Sequence, residues 1–325
     1  MSRMPRAVVP ASLALAGSLA LAACGSSGEQ SPSASSSSPA AKVAVTTSFY
    51  PLALAAERIG GEYVTVTNLT KPGAEPHDLE LTPQDVAQIS KAGLVVYLKG
   101  FQPAVDEAVE TQAGTKALDV TSAARLTIAA SEDGHHHEGE SEEEHAEHAE
   151  EMTQDPHFWL DPTRYADVAT AIASQLATAD PAHATAYQQN AKTFTDALTA
   201  LDSELTAGLK TCASKELVTG HAAFAYLADR YGLEQEGIAG ISPDAEPDAA
   251  TMKEIVEHVK GHGVSTVYAE TLVSPALAQT IAKEAGATVA VLDPIEGLSD
   301  SSAGKDYFEI MRSNLATLKK GQGCS

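Results

Sequence analysis

Between Thr163 and Lys210 the chain carries almost no glycine, and Ala, Leu, Gln and Thr dominate. A run of that composition is helical unless something interrupts it. Only Asp180-Pro181 does so. The spacing predicts one helix ending near residue 177 and a second covering about 182–209. A helix of roughly 28 residues spans ~40 Å, longer than a small domain needs, so it reads as a strut joining two lobes.

Both flanks of this strut alternate short β-rich runs with amphipathic segments. On the amino-terminal side, residues 43–47, 63–69 and 94–98 read as strands. The last is a continuous apolar run suited to a buried parallel strand. Residues 51–59 and 83–92 read as helices, the second opened by Thr82, Pro83 and Asp85. On the carboxyl-terminal side, strands are expected at 216–219, 235–238, 264–270 and 287–292. Helices are expected at 222–231, after Pro247-Asp248 to 260, at 275–285, and up to about 319. This is an α/β chain with two (βα) lobes, each with a parallel sheet. The first lobe is placed at 42–162, the linking helices at 163–211 and the second lobe at 212–325.

The amino terminus sets the compartment. Arg3 and Arg6 precede a small apolar run that ends at Leu21-Ala22-Ala23-Cys24. That run is too short for a comfortable span of ~20 residues. It reads as a lipoprotein signal peptide (1–23), with Cys24 becoming the lipid-modified terminus. A Ser-, Gly- and Pro-rich tether follows (24–41). The expected location is therefore the extracytoplasmic face of a cell membrane. Cys212 and Cys324 are left over in an oxidising compartment and are expected to pair. Loss of the leader removes two of the 21 basic residues and none of the 44 acidic ones, so the charge moves from −23 to near −25. Such a surface repels nucleic acid and anionic headgroups and admits cations.

Residues 132–151 carry His135, His136, His137, His145 and His148 among ten carboxylates, with no Lys or Arg. Such a tract has no apolar surface to bury. Its side chains suit borderline metal ions, so the five histidines read as accessory ligands. A flexible tract must be ordered around each ion, which predicts weak sites and a role as an antenna or sensor.

A tight site needs fixed geometry, and open parallel sheets bind beyond the carboxyl ends of their strands. His77, His157, His221 and Asp293 fall at such places, each beside Gly or Pro. Glu75 is a spare oxygen ligand or an acceptor for an imidazole N–H, and Glu270 is a further strand-end residue. Phe158 and Trp159 read as packing behind His157. His258 and His262 share a helix face but read as surface residues at a helix end, where His favours the dipole.

Three segments carry a resemblance: Pro72-Gly73-Ala74-Glu75-Pro76-His77-Asp78-Leu79-Glu80 with Thr82-Pro83, His157-Phe158-Trp159-Leu160-Asp161-Pro162, and Gly220-His221-Ala222-Ala223-Phe224-Ala225-Tyr226-Leu227. With Leu292-Asp293-Pro294 as a fourth, they are similar to the ZnuA/TroA-like solute-binding proteins of zinc and manganese ABC importers. The resemblance covers about residues 42–318. It implies two lobes joined by a rigid helix, with metal in the cleft between them held by His77, His157, His221 and Asp293. Manganese members of this family tend to place a carboxylate where this chain has His221. Three imidazoles and one carboxylate suit tetrahedral Zn(II) better than Mn(II).

The implied function is capture of Zn(II) by a monomer that hands it to an ABC permease, without catalysis. Alternatives are a Mn(II)-binding homologue, or a surface adhesin or metal buffer. A zinc hydrolase is the weakest reading, because four protein ligands leave no position for water. The chain also lacks a His-Glu-x-x-His run.

Overall fold

The computed structural model describes residues 42–130, 153–245 and 247–325. Cys24 and the five histidines of the tract lie outside them. The first lobe contains β1 (Val43–Thr47), α1 (Tyr50–Gly60), β2 (Val64–Asn68), α2 (Pro83–Lys91), β3 (Leu94–Tyr97), α3 (Pro103–Gln112), β4 (Ala117–Asp119) and α4 (Thr121–Ala124). Then come α5 (Pro162–Ala179) and α6 (Ala184–Leu209). The second lobe contains β5 (Glu216–Thr219), α7 (Ala225–Tyr231), β6 (Glu234–Gly237), α8 (Ala249–Gly261), β7 (Thr266–Ala269), α9 (Ala276–Ala285), β8 (Thr288–Val291) and α10 (Tyr307–Gly321).

Each sheet has four parallel strands, ordered β2-β1-β3-β4 and β6-β5-β7-β8. Parallel pairing demands a crossover between strands, which the intervening helices supply. In both sheets the central strands are the apolar ones, because helices cover both faces there. The helices start where local chemistry satisfies their orphan N–H groups. Thr82 and Asp85 form a reciprocal capping box on α2, and Asp248 accepts the N–H groups of Ala250 and Thr251 on α8.

Helix α6 spans about 39 Å at 1.5 Å per residue. Its buried face is Tyr187, Ala191, Phe194, Leu198, Leu201, Leu205 and Leu209, a three-and-four spacing that keeps one stripe inward. That stripe packs on α1 and α5 at one end and on α7 and α10 at the other. One apolar cluster consequently includes Val45 and Leu94 of the first sheet with Leu217 and Tyr268 of the second. Polar clasps reinforce it: Asn190 donates to the Ile59 carbonyl at 2.9 Å, and Arg230 grips Asp202 at 2.6 and 2.8 Å. The expected strut is present, with a short 3-10 turn at Pro181–His183 before α6.

Cys212 and Cys324 are joined as a disulfide across 112 residues. Ala213 and Ser214 donate to the Gln322 carbonyl at 3.0 and 3.1 Å, laying the chain end beside the entry to β5. Two departures from expectation concern local structure. Residues 103–124 hold α3, β4 and α4, none of which was expected. Helix α7 begins at Ala225 rather than 222 because the preceding residues are held as a loop, with Ala222 N–H on the Gly240 carbonyl at 2.9 Å.

Candidate metal centre

Four loops converge at the carboxyl ends of the two sheets. His77 follows β2. Its loop is held by Gln102, whose amide donates to the Pro76 carbonyl at 2.9 Å and to Thr70 Oγ1 at 3.1 Å. Its ring meets Phe101 edge-on at 4.7 Å. His157 lies just before the turn Phe158–Leu160 that leads to the Asp161 cap of α5. Asp155 Oδ1 takes both its backbone N–H at 2.7 Å and its Nδ1 at 2.9 Å.

His221 follows β5 and is anchored in the same way. Glu270 accepts its backbone N–H at 2.7 Å through Oε1 and lies 2.6 Å from its Nδ1 through Oε2. This clasp explains Gly220, where a Cβ would fall 2.5 Å from Glu270 Oε1. In both clasps a carboxylate takes Nδ1–H and turns Nε2 into the cleft, where it offers a lone pair once it has lost its proton.

The fourth group is Glu296, in the loop after β8. Its Oε1 stands 3.3 Å from His77 Nε2 and 3.1 Å from the Nε2 of both His157 and His221. The Nε2 atoms of His157 and His221 are 3.4 Å apart. All four ligand atoms lie within 4.8 Å of one another, and all four residues are buried. A tetrahedral zinc shell with bonds of about 2.0–2.1 Å has edges of about 3.3–3.4 Å. The three distances to Glu296 Oε1 and the one between His157 and His221, 3.1–3.4 Å, are close to those edges.

The structure brings three of the four sequence candidates together and leaves the last outside the group. Asp293 does not join the cluster. Its Oδ1 accepts the Ile295 N–H at 2.8 Å, closing an Asx turn. Its backbone is pinned on both sides by Asn314, at 3.0 and 2.7 Å. Ile295 then adopts φ +60°, a conformation that a β-branched residue takes only under constraint. Trp159 adds its own clamp, donating Nε1–H to the Pro294 carbonyl at 2.8 Å. The turn thus aims Glu296, three residues further on, into the cleft. Glu75 borders the group without joining it: Oε1 lies 3.9 Å from His77 Nε2, and the carboxylate accepts the N–H groups of His77 at 3.0 Å and Asp78 at 3.3 Å.

Electrostatics follow from burial and proximity. Burial alone would raise Glu296, but the charge of His221 and hydrogen bonds from all three imidazoles hold it well below the usual carboxylate range. Burial lowers His77. Burial also opposes the charged forms of His157 and His221, yet Asp155 and Glu270 respectively, with Glu296, outweigh it and raise both. Glu75 is pushed up to about 7, first by burial and then by the charge of Glu296.

Residues 45–321 match the family model described as zinc-uptake complex component A, periplasmic. The chain belongs to this family. It is 38% identical over 286 residues to the zinc-binding protein AdcA of Streptococcus pyogenes, covering 86% of this chain but only 56% of that protein. The chain thus spans about half the length of that relative. It is 35% identical to the high-affinity zinc uptake system protein ZnuA of Bacillus subtilis, over 93% of both chains. Among solved structures it is similar to the laminin-binding protein Lmb of Streptococcus agalactiae, described as having adhesin and metal-transporting activity. That likeness has TM-score 0.74 and 33% identity, over 86% of this chain and 99% of the other.

Proposed function

We propose that this protein captures Zn(II) on the extracytoplasmic side of a membrane and delivers it to an ABC-type permease, tethered by lipid at Cys24 and acting as a monomer. The observation that carries the reading is the convergence of three imidazole Nε2 atoms on one carboxylate oxygen at tetrahedral spacing. His77, His157, His221 and Glu296 are the ligands. Zinc is favoured over manganese because the donor set is rich in nitrogen and manganese prefers more oxygen. Four protein groups complete the shell and leave no position for an activated water, which argues for a carrier rather than a hydrolase.

The test is zinc titration of His77→Ala, His157→Ala and His221→Ala. Each is expected to lose the tight site and keep weak binding by the tract. Survival of the tight site in all three would overturn the assignment. Similarity to Lmb supports a second role in adhesion, read out as retention of the intact protein on immobilised laminin.

A further inference from the structure

Helix α8 carries a second pair of imidazoles that the cleft does not use. His258 and His262 lie one turn apart at its carboxyl end, with ring centroids 4.2 Å apart and planes inclined by 32°. His262 Nδ1 sits 3.0 Å from the His258 carbonyl. A carbonyl only accepts, so Nδ1 donates and the lone pair of the neutral ring is left on Nε2. This is the bond that commonly orients a metal-binding imidazole. His258 Nε2 stands 3.1 Å from Glu216 Oε2, on the first residue of β5.

A second carboxylate lies on the same sheet face as Glu216. Glu216 pairs with Glu234 and Val218 with Glu236, so Glu216 and Glu236 share a sheet face on neighbouring strands. Burial first, and then the charge of Glu216, push the Glu236 carboxyl up to about 7, with His262 opposing the shift. Glu216 and His262 line one cavity of about 440 Å³.

We propose that His258, His262 and Glu216, with Glu236 alongside, form a second binding site for a borderline divalent cation such as Zn(II), Ni(II) or Cu(II). Imidazoles at i and i+4 on one helix face chelate such ions, and the negative end of the helix dipole favours a cation there. Binding requires His258 to swing its Nε2 so that it and Glu216 share the ion instead of each other. Lys215 and Lys320 also line the cavity, so the attraction comes from direct ligation rather than from the surrounding field. Glu216 opens β5 and His221 follows its far end, which places the two sites about 15 Å apart. With His262 exposed and His258 partly so, the second site is the weaker one.

The experiment loads the full chain with one equivalent of Zn(II), then titrates it with Ni(II), following bound metal by analysis and the histidine ring resonances by NMR. His258→Ala/His262→Ala is compared with the parent. Glu216→Gln serves as a milder variant that keeps both rings. The double variant is expected to bind one fewer Ni(II) per chain while retaining its cleft Zn(II). Glu216→Gln is expected to weaken that increment about tenfold. Identical Ni(II) stoichiometry and affinity in the parent and both variants would overturn the proposal. So would His258 and His262 resonances that do not shift with Ni(II).

Discussion

The two lobes share one strand order, and each sends two of the four clustered side chains into the cleft, yet they hold them by different means. In the second lobe His221 is clasped by Glu270 through both backbone and ring, and Glu296 is aimed by a constrained turn. Both are almost fully buried, at 0% and 1% exposure. In the first lobe His157 has a matching clasp from Asp155, but His77 rests on Phe101 and a loop tied by Gln102, and it is 8% exposed. The Glu75 beside it binds backbone N–H groups rather than clasping the ring as Asp155 and Glu270 do. The lesson is that equal topology does not give equal rigidity. Charge-assisted clasps orient two of the four clustered side chains, a turn aims the third, and His77 has neither.

The largest expected effect separates the two carboxylates of the β8 loop. Glu296→Gln should weaken zinc binding by more than roughly 100-fold, beyond the range of an outer-shell change. Asp293→Asn should cost only about tenfold, by loosening the turn. Competition against a chromogenic chelator measures both, and the reverse order would make Asp293 the ligand.

Next come the clasps themselves. Glu270→Gln and Asp155→Asn should each reduce zinc affinity by about 10–100-fold, and Glu75→Gln by less than about tenfold. Equal losses at Glu75 and Glu270 would erase the contrast between the lobes.

The disulfide tests whether the second lobe's stability can be separated from its site. Closing a loop of this length should contribute about 2–5 kcal/mol. Cys212→Ser/Cys324→Ser should therefore lower the denaturant midpoint while leaving zinc affinity within about twofold, since the bridge lies at the opposite end of β5 from His221. A large loss of affinity would mean that the bridge supports the cleft.

The smallest effect on the tight site is expected from removing residues 132–151. Total bound zinc should fall while the tight constant is unchanged. Loss of the tight constant would place the main site in the tract.

Periodicity and punctuation made most of the architecture legible. A glycine-poor run with one Asp-Pro break dictated two helices, and β-rich runs separated by capped amphipathic segments dictated parallel sheets. The segment holding α3 and β4 was not legible because β4 is three residues long, too short to show a pattern. The three histidines stood out because each sits next to Gly or Pro at a strand or helix boundary. Glu296 did not, since one carboxylate among 44 acidic residues has no local mark.

By itself, then, the sequence determined the element order outside residues 103–124 and the pairing of the last two cysteines, and it singled out three of the four side chains that meet in the cleft, because these depend on short-range chemistry and elimination. Only the tertiary structure decided the fourth. Whether Asp293 or Glu296 reaches the cleft depends on Asn314, Trp159 and the φ of Ile295. Asn314 and Trp159 lie 21 and 135 residues away in sequence and meet the turn only when the chain is folded.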